Sequence, residues 1–399
     1  MSTATLGASR PAAVAEAGQS KATNRLLFVD NIRVFLTMLV ILHHTMIIYA
    51  ASGNWGLYME GRQDDITKAL GAWFCAVNQA YFMSLFLLIS AYFVPGSYDR
   101  KGAGHFLKDR LIRLGIPLII YSWIISPLSY VVVIYVTLGQ VLPLSRYLPG
   151  GGFEGILGAG PLWFVEVLLI FSLVYVLWRR FFQPNPPVPS VDAASRFPGN
   201  AAIVLFALLT GVGTFLVRLV FPVDWNFSLL NLQFPFFVLY TALFIVGLIA
   251  YRRNWLLGLP DTVGRRWLIA AVVMILLWWP GVLLGGGATS AEPFKGGWHW
   301  QSLANALWES FLCFSMCIGL VYAFRRYLNR QGRLAKFLSP NAYIAYIIHA
   351  QVITATALML RNVDLYPLLK FGLAVLIAVP LSFALGNLIR RLPYTDRVL

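Results

Sequence analysis

The sequence predicts an all-α, polytopic integral membrane protein of about ten transmembrane helices. Three observations carry that expectation. Of 399 residues, 59% are hydrophobic and only 12% are charged, about half the charged share of a soluble domain. Apolar runs long enough to cross a bilayer recur along the whole length. The basic residues behind the net charge of +15 gather in every second segment between those runs, as topology-setting loop charges do. Their placement argues against nucleic acid as a partner and for the lipid bilayer.

Taken in order, the expected spans are about Phe28–Ala50, Leu70–Val94, Leu114–Leu138, Leu162–Leu177, Ala201–Val220, Phe234–Tyr251, Trp267–Leu284, Leu303–Phe324, Tyr343–Leu360 and Leu368–Ile389. Basic clusters at 100–113, 179–180, 252–266, 325–336 and 390–391 mark one side of the membrane. The alternation holds at every loop and places both termini in the cytoplasm. Residues 1–24 are rich in Ala, Ser and Thr and lack the apolar centre of a cleavable signal. They read as a disordered cytoplasmic tail ahead of a membrane domain over 25–392, with a short cytoplasmic tail over 393–399. Glycine-rich turns near 150–155 and 285–289 fall on the outer side, and a proline-rich connector follows Gln183 on the inner side. Cys75, Cys313 and Cys317 all lie inside apolar runs. They suit buried packing rather than a disulfide framework, and no metal site is expected.

The first span carries the sharpest functional signal. Arg33 and His44 are eleven residues apart, about three helical turns, so they share a face about 16 Å apart along the axis. Ionisable groups inside lipid are costly and mark function by default. His43 falls roughly 80° off that face. Asp30, one turn below Arg33, is placed for an i,i+3 ion pair. The bland alternative is a snorkelling arginine and a histidine bonded to a neighbouring helix.

Four further groups carry polar chemistry. Arg110 and Arg113 project from one side of a basic helix entering the membrane, and paired guanidinium forks suit phosphates; topology alone also accounts for them. Tyr346 and His349 share a face one turn apart in the ninth span, at a depth similar to that of His44. Ser339 is expected to cap that span. Glu166 and Glu309 lie in the outer halves of the fourth and eighth spans, where either orients a histidine, binds an acceptor hydroxyl or pairs with Arg218. Trp163 reads as an interface anchor or a sugar-stacking platform.

Together these pieces resemble the membrane-bound acyltransferase family 3, closest to its glucan biosynthesis branch, over about residues 27–390. The resemblance rests on Asp30, on Arg33 and His44 with ten residues between them, and on Phe86-Leu-Leu-Ile-Ser-Ala-Tyr-Phe93. It rests also on Arg110-Leu-Ile-Arg113-Leu-Gly-Ile-Pro117, on Leu162-Trp163-Phe164 and on Tyr346-Ile-Ile-His349. Ala91 stands where glycine is usual. Many members carry a glutamate five residues after the tryptophan, where this chain has Leu168, so that glutamate's role does not pass to Glu166. The resemblance implies a bacterial inner-membrane enzyme moving an acetyl or succinyl group from cytoplasmic acyl-CoA to an extracytoplasmic carbohydrate acceptor. The acyl-CoA serves as co-substrate, with no permanently bound cofactor. It also implies that His44 and Arg33 are catalytic, with Arg110 and Arg113 at the donor phosphates and Trp163 at the acceptor. Asp30, Tyr346, His349, Glu166 and Glu309 stand as possible support. The competing class is a transporter that moves a carbohydrate or lipid-linked substrate without chemistry. Its usual mark, paired interrupted helices in two repeated halves, is not visible.

Overall fold

The computed structural model describes residues 25–50, 57–61, 64–141, 158–183, 197–227, 230–393 and 395–398. The tail expected over 1–24, the glycine-rich turn at 150–155 and most of the connector after Gln183 lie outside them. Among the described residues, ten helices long and apolar enough to cross a membrane follow one another. They are α1 Leu27–Ala50, α2 Asp65–Tyr92, α3 Val94–Leu138, α4 Gly160–Phe182, α5 Asn200–Arg218, α6 Phe234–Arg252, α7 Asp261–Leu284, α8 Trp300–Tyr327, α9 Arg333–Leu360 and α10 Pro367–Ile389. Among the described residues, extended pairing is limited to an isolated bridge between Phe227 and Leu232. The chain is an all-α integral membrane protein.

Helix α1 sits at the centre. It packs against α2, α8, α9 and α10, and Ile32, Leu36, Ile41 and Ile48 along it are fully buried. A helix apolar all round needs neighbours on most sides, and this one has them. By contrast α7 packs chiefly on α8 and exposes Ile269, Leu276 and Leu277, as a helix facing hydrocarbon does. Close approach of backbones requires glycine at two positions. A Cβ on Gly247 of α6 would stand 2.3 Å from the Leu88 carbonyl oxygen of α2, and one on Gly319 of α8 would stand 2.9 Å from Cα of Leu268 in α7. Small residues at such contacts let membrane helices pack.

Helices α2, α3, α7 and α9 begin at least five residues before the expected spans, and two of them show why. Helix α2 begins five residues earlier than its apolar run. Asp64 caps it, accepting hydrogen bonds from the Thr67 amide at 2.9 Å and the Thr67 hydroxyl at 2.6 Å. The Tyr366 hydroxyl donates to the same carboxylate at 2.5 Å. Burial opposes ionisation of Asp64, but these hydrogen bonds outweigh it and hold the carboxyl at about 2. Helix α3 opens on the arginine-rich side with a polar helical stretch from Val94 to Arg110 that kinks at Gly102, whose φ of 71° only glycine adopts readily. It then passes through two π-helical turns, Leu111–Gly115 and Tyr121–Ile125. Each lies just before a proline, Pro117 or Pro127. Proline cannot donate to the carbonyl four residues back and crowds it; a wider turn relieves the clash. The carbonyl that Pro117 cannot reach, that of Arg113, instead accepts from the Tyr343 hydroxyl of α9 at 2.8 Å.

The arginine-rich side is tied together by named bonds. Asp99 at the start of α3 takes Arg179 of α4 at 2.9 Å and Arg252 of α6 at 2.7 Å. Asn31 donates to the carbonyls of Leu328 and Arg330, at 2.6 and 2.9 Å, fixing α1 to the α8–α9 turn. Ser339 is not the expected cap. A tight 3-10 turn, Ser339–Asn341, interrupts α9, and Asn341 precedes its main run without a side-chain cap bond. The Ser339 hydroxyl accepts from Arg25 at 3.2 Å instead.

Candidate active site

Helix α1 presents Arg33 and His44 at two levels of the membrane. At the arginine-rich end, Arg33 lies 3.5 Å from Asp30, but Asp30 is held more closely by Arg25, at 2.5 Å. One carboxylate thus serves two guanidinium groups, which leaves net positive charge. The Arg33 guanidinium lies over the Phe93 ring, 4.9 Å from its centroid. Arg110, stacked 5.0 Å over Phe106, is within electrostatic range of both Arg33 and Arg113. The nearby carboxylate of Asp109 is bonded to Lys101. The fold therefore gathers Arg33, Arg110 and Arg113 into one cationic basin, although they come from two different helices.

About three turns further along α1, His44 meets His349. Their nitrogens, Nδ1 of His44 and Nε2 of His349, are 2.8 Å apart. The ring centroids are 5.0 Å apart and the planes differ by only 14°. A separation that wide with planes that close is the geometry of an in-plane N–H···N bond, not of face stacking. On its other side, Nδ1 of His349 is bonded to the Tyr346 carbonyl. A carbonyl oxygen only accepts, so for two neutral imidazoles the protons are assigned. His349 donates through Nδ1, its Nε2 accepts from Nδ1–H of His44, and Nε2 of His44 carries a lone pair. His349 is fully buried, whereas His44 is half-buried. The Tyr346 ring lies 5.5 Å from that of His349, and its hydroxyl donates to the Pro161 carbonyl at the head of α4. His43 points elsewhere, packing 4.9 Å from Phe82.

The remaining candidates are distributed around this centre. Trp163 is buried, lies nearly parallel to Tyr240 with centroids 5.4 Å apart, and meets Phe164 edge-on. The Tyr240 hydroxyl in turn accepts from Gln79 at 3.4 Å. Glu166 is buried in the first turn of α4, and its Oε2 has no hydrogen-bond partner among the described residues. Glu309 is bound to Arg218 at 2.6 Å and accepts from Asn305 at 3.3 Å. Of the alternatives open from sequence, the arginine partner is the one it takes. Among the described residues, no three His, Cys, Asp or Glu side chains converge in a way that could hold a metal ion. Sequence reasoning missed Tyr343 and the Gln351 amide, which donates to Tyr121 and Ser129 at 3.3 Å each. The available signal was their position on α9 beside Tyr346 and the two prolines of α3.

A family model described as an acyltransferase domain matches residues 26–387. The chain belongs to the acyltransferase 3 family. Relatives include "Glucans biosynthesis protein C" from Salmonella typhi and from Salmonella typhimurium, each 24% identical over 341 residues, covering 82% of this chain and 81% of the relative. The protein of the same name from Escherichia coli strain K12 / DH10B is 24% identical over 338 residues, with the same coverage. No solved structure matches. The chain is thus a membrane-embedded acyltransferase of the bacterial inner-membrane kind.

Proposed function

We propose that this acyltransferase moves an acyl group, acetyl or succinyl, from acyl-CoA on the arginine-rich, cytoplasmic side to a hydroxyl of an extracytoplasmic carbohydrate such as a glucan. The observation that carries this reading is the 2.8 Å bond between His44 and His349, chained to the Tyr346 carbonyl. It leaves Nε2 of His44 as the proton-accepting nitrogen and fixes the ring about that bond.

In this reading Nε2 of His44 takes the proton of the acceptor hydroxyl as its oxygen attacks the thioester carbonyl. The tetrahedral oxyanion collapses, the carbon–sulfur bond breaks, and the proton passes from His44 to the departing coenzyme A thiolate. His349 plays the positioning part that a carboxylate plays in many triads. A neutral imidazole does so without placing another charge inside the membrane, where charge is costly. Arg33, Arg110 and Arg113 receive the donor phosphates, with Asp30 holding Arg33 in place. The pantetheine arm then spans the roughly 16 Å of helical rise from Arg33 to His44. On the outer side, Trp163 with Tyr240, and the unpartnered oxygen of Glu166, are the groups available to an acceptor sugar.

The test uses purified protein in nanodiscs supplied with acetyl-CoA or succinyl-CoA and a glucan oligosaccharide. The expected result is an acceptor heavier by one acyl group and an equal amount of released thiol. Passage of the sugar across vesicles without any donor, and without a mass change, would replace this reading with transport. A stoichiometric burst of thiol before acceptor is added would make His44 the acyl carrier rather than the base.

A further inference from the structure

On the arginine-rich half of the molecule, α5 and α8 pack on one another, with the rings of Phe206 and Phe314 5.4 Å apart, but α6 does not close the space beside them. They leave a crevice of about 290 Å³. Its floor is formed by Leu88, Leu243 and Cys317, all buried, and its mouth by Phe206 and Ile249, both partly exposed toward the membrane. The lining is almost wholly apolar, so water has few groups to bond to inside it. An empty crevice would forfeit the dispersion contacts of its walls. Hydrocarbon is the filling that satisfies both conditions.

The rim adds chemistry that plain hydrocarbon does not need. The short helix Trp255–Gly258 lies across the arginine-rich end of the crevice, with Phe197 packed against the Trp255 ring at 5.9 Å. The indole Nε1–H of Trp255 is buried and has no partner among the described residues. Two residues earlier, Arg253 is exposed at the same end. Nearby carboxylates are engaged elsewhere, Asp99 by Arg179 and Arg252, and Asp261 by Arg325. An apolar slot for a chain, a buried donor without a partner on the residue that lines its end and an exposed cation two residues away describe one kind of molecule.

We propose that this crevice is a binding site for one anionic glycerophospholipid. A chain fills the slot, an ester carbonyl accepts from Trp255 Nε1–H, and the phosphate faces Arg253. The site is separate from the histidine pair, and the inference stands independently of the donor and acceptor assigned above.

The test is photolabelling of the full chain in phosphatidylcholine nanodiscs doped with phosphatidylglycerol bearing a diazirine in its chain. Labelled peptides should concentrate at 243–256 and 314–321. Excess unlabelled phosphatidylglycerol should reduce that labelling at least about fivefold more than excess phosphatidylcholine does, the scale of one basic residue acting on an anionic headgroup. Val246→Trp should fill the slot and abolish the labelling, while Arg253→Gln should keep the labelling and lose the headgroup preference. Labelling spread evenly onto the lipid-facing leucines of α7, equal competition by both lipids, or unchanged labelling in Val246→Trp would each overturn the proposal. The wild-type labelling map decides the matter even if a variant fails to fold.

Discussion

Two of the polar pairs that cross between helices inside this membrane domain differ in kind. His44 and His349 join α1 to α9 through their imidazole rings, and one member is half-buried. Arg218 and Glu309 join α5 to α8 through full charges, with Arg218 entirely enclosed. The second pair is joined by Asn305, which donates to Glu309, and the Phe236 ring lies 5.1 Å from the guanidinium. The first is a chain with direction, running from the Tyr346 carbonyl through His349 to His44. Burial of polar groups in lipid therefore does not by itself mark the chemistry. Under the proposed function, the direction of the hydrogen bonds separates the histidine pair from a structural tie.

Breaking each pair should expose that difference. Removing one partner of a buried ion pair leaves an uncompensated charge and costs about 3–5 kcal/mol. Glu309→Ala should accordingly reduce the amount of folded protein in the membrane while leaving turnover per folded molecule near wild type. The double variant Arg218→Met with Glu309→Leu should recover much of the loss, as read by thermal unfolding in detergent. A large fall in turnover with unchanged stability would move Glu309 into the reaction.

The histidine pair should respond in the opposite sense. His349→Leu should lower kcat about 100-fold, the scale of a misplaced catalytic group, with the KM values for donor and acceptor nearly unchanged. His349→Gln, whose side-chain oxygen also accepts from Nδ1–H of His44, should restore part of that rate. Equal damage by both substitutions would reduce His349 to packing.

The basin of arginines sharpens the contrast at the membrane edge. Arg110→Ala and Arg113→Ala should each raise the donor KM about tenfold, the worth of one charge-assisted hydrogen bond, with little effect on the acceptor KM. The smallest effect belongs to the cap of α2. The Asp64 carboxyl titrates at about 2, below the roughly 3.9 of a free aspartate. Its contribution to stability is therefore complete above about pH 4 and is lost as pH falls through about 2. Asp64→Ala should lower the melting temperature by about 1 °C near neutrality and flatten that acid dependence.

How much of this was legible in the chain follows from distance along it. Span number and order were legible because bilayer crossing demands long apolar runs, and the runs end at charged clusters. The early start of α2 was not, because Asp64 and Thr67 look like loop residues until Tyr366 is brought beside them. The wide turns of α3 were only hinted at by Pro117 and Pro127, since the group that satisfies the stranded Arg113 carbonyl comes from α9. The shared face of Arg33 and His44 followed from helical spacing within one element. The bond from His44 to His349 joins residues 305 apart, and no periodicity reports such a contact. For the same reason Glu309 stood open between several partners until α5 and α8 were placed side by side.

The most direct test concerns His44 itself. Single-turnover acyl transfer should be measured with equal amounts of wild-type and His44→Ala protein, each shown by thermal unfolding to be folded. Loss of a general base predicts a fall of about 10²–10⁴ in rate with the melting temperature preserved. Transfer at the wild-type rate in the folded variant would contradict the account.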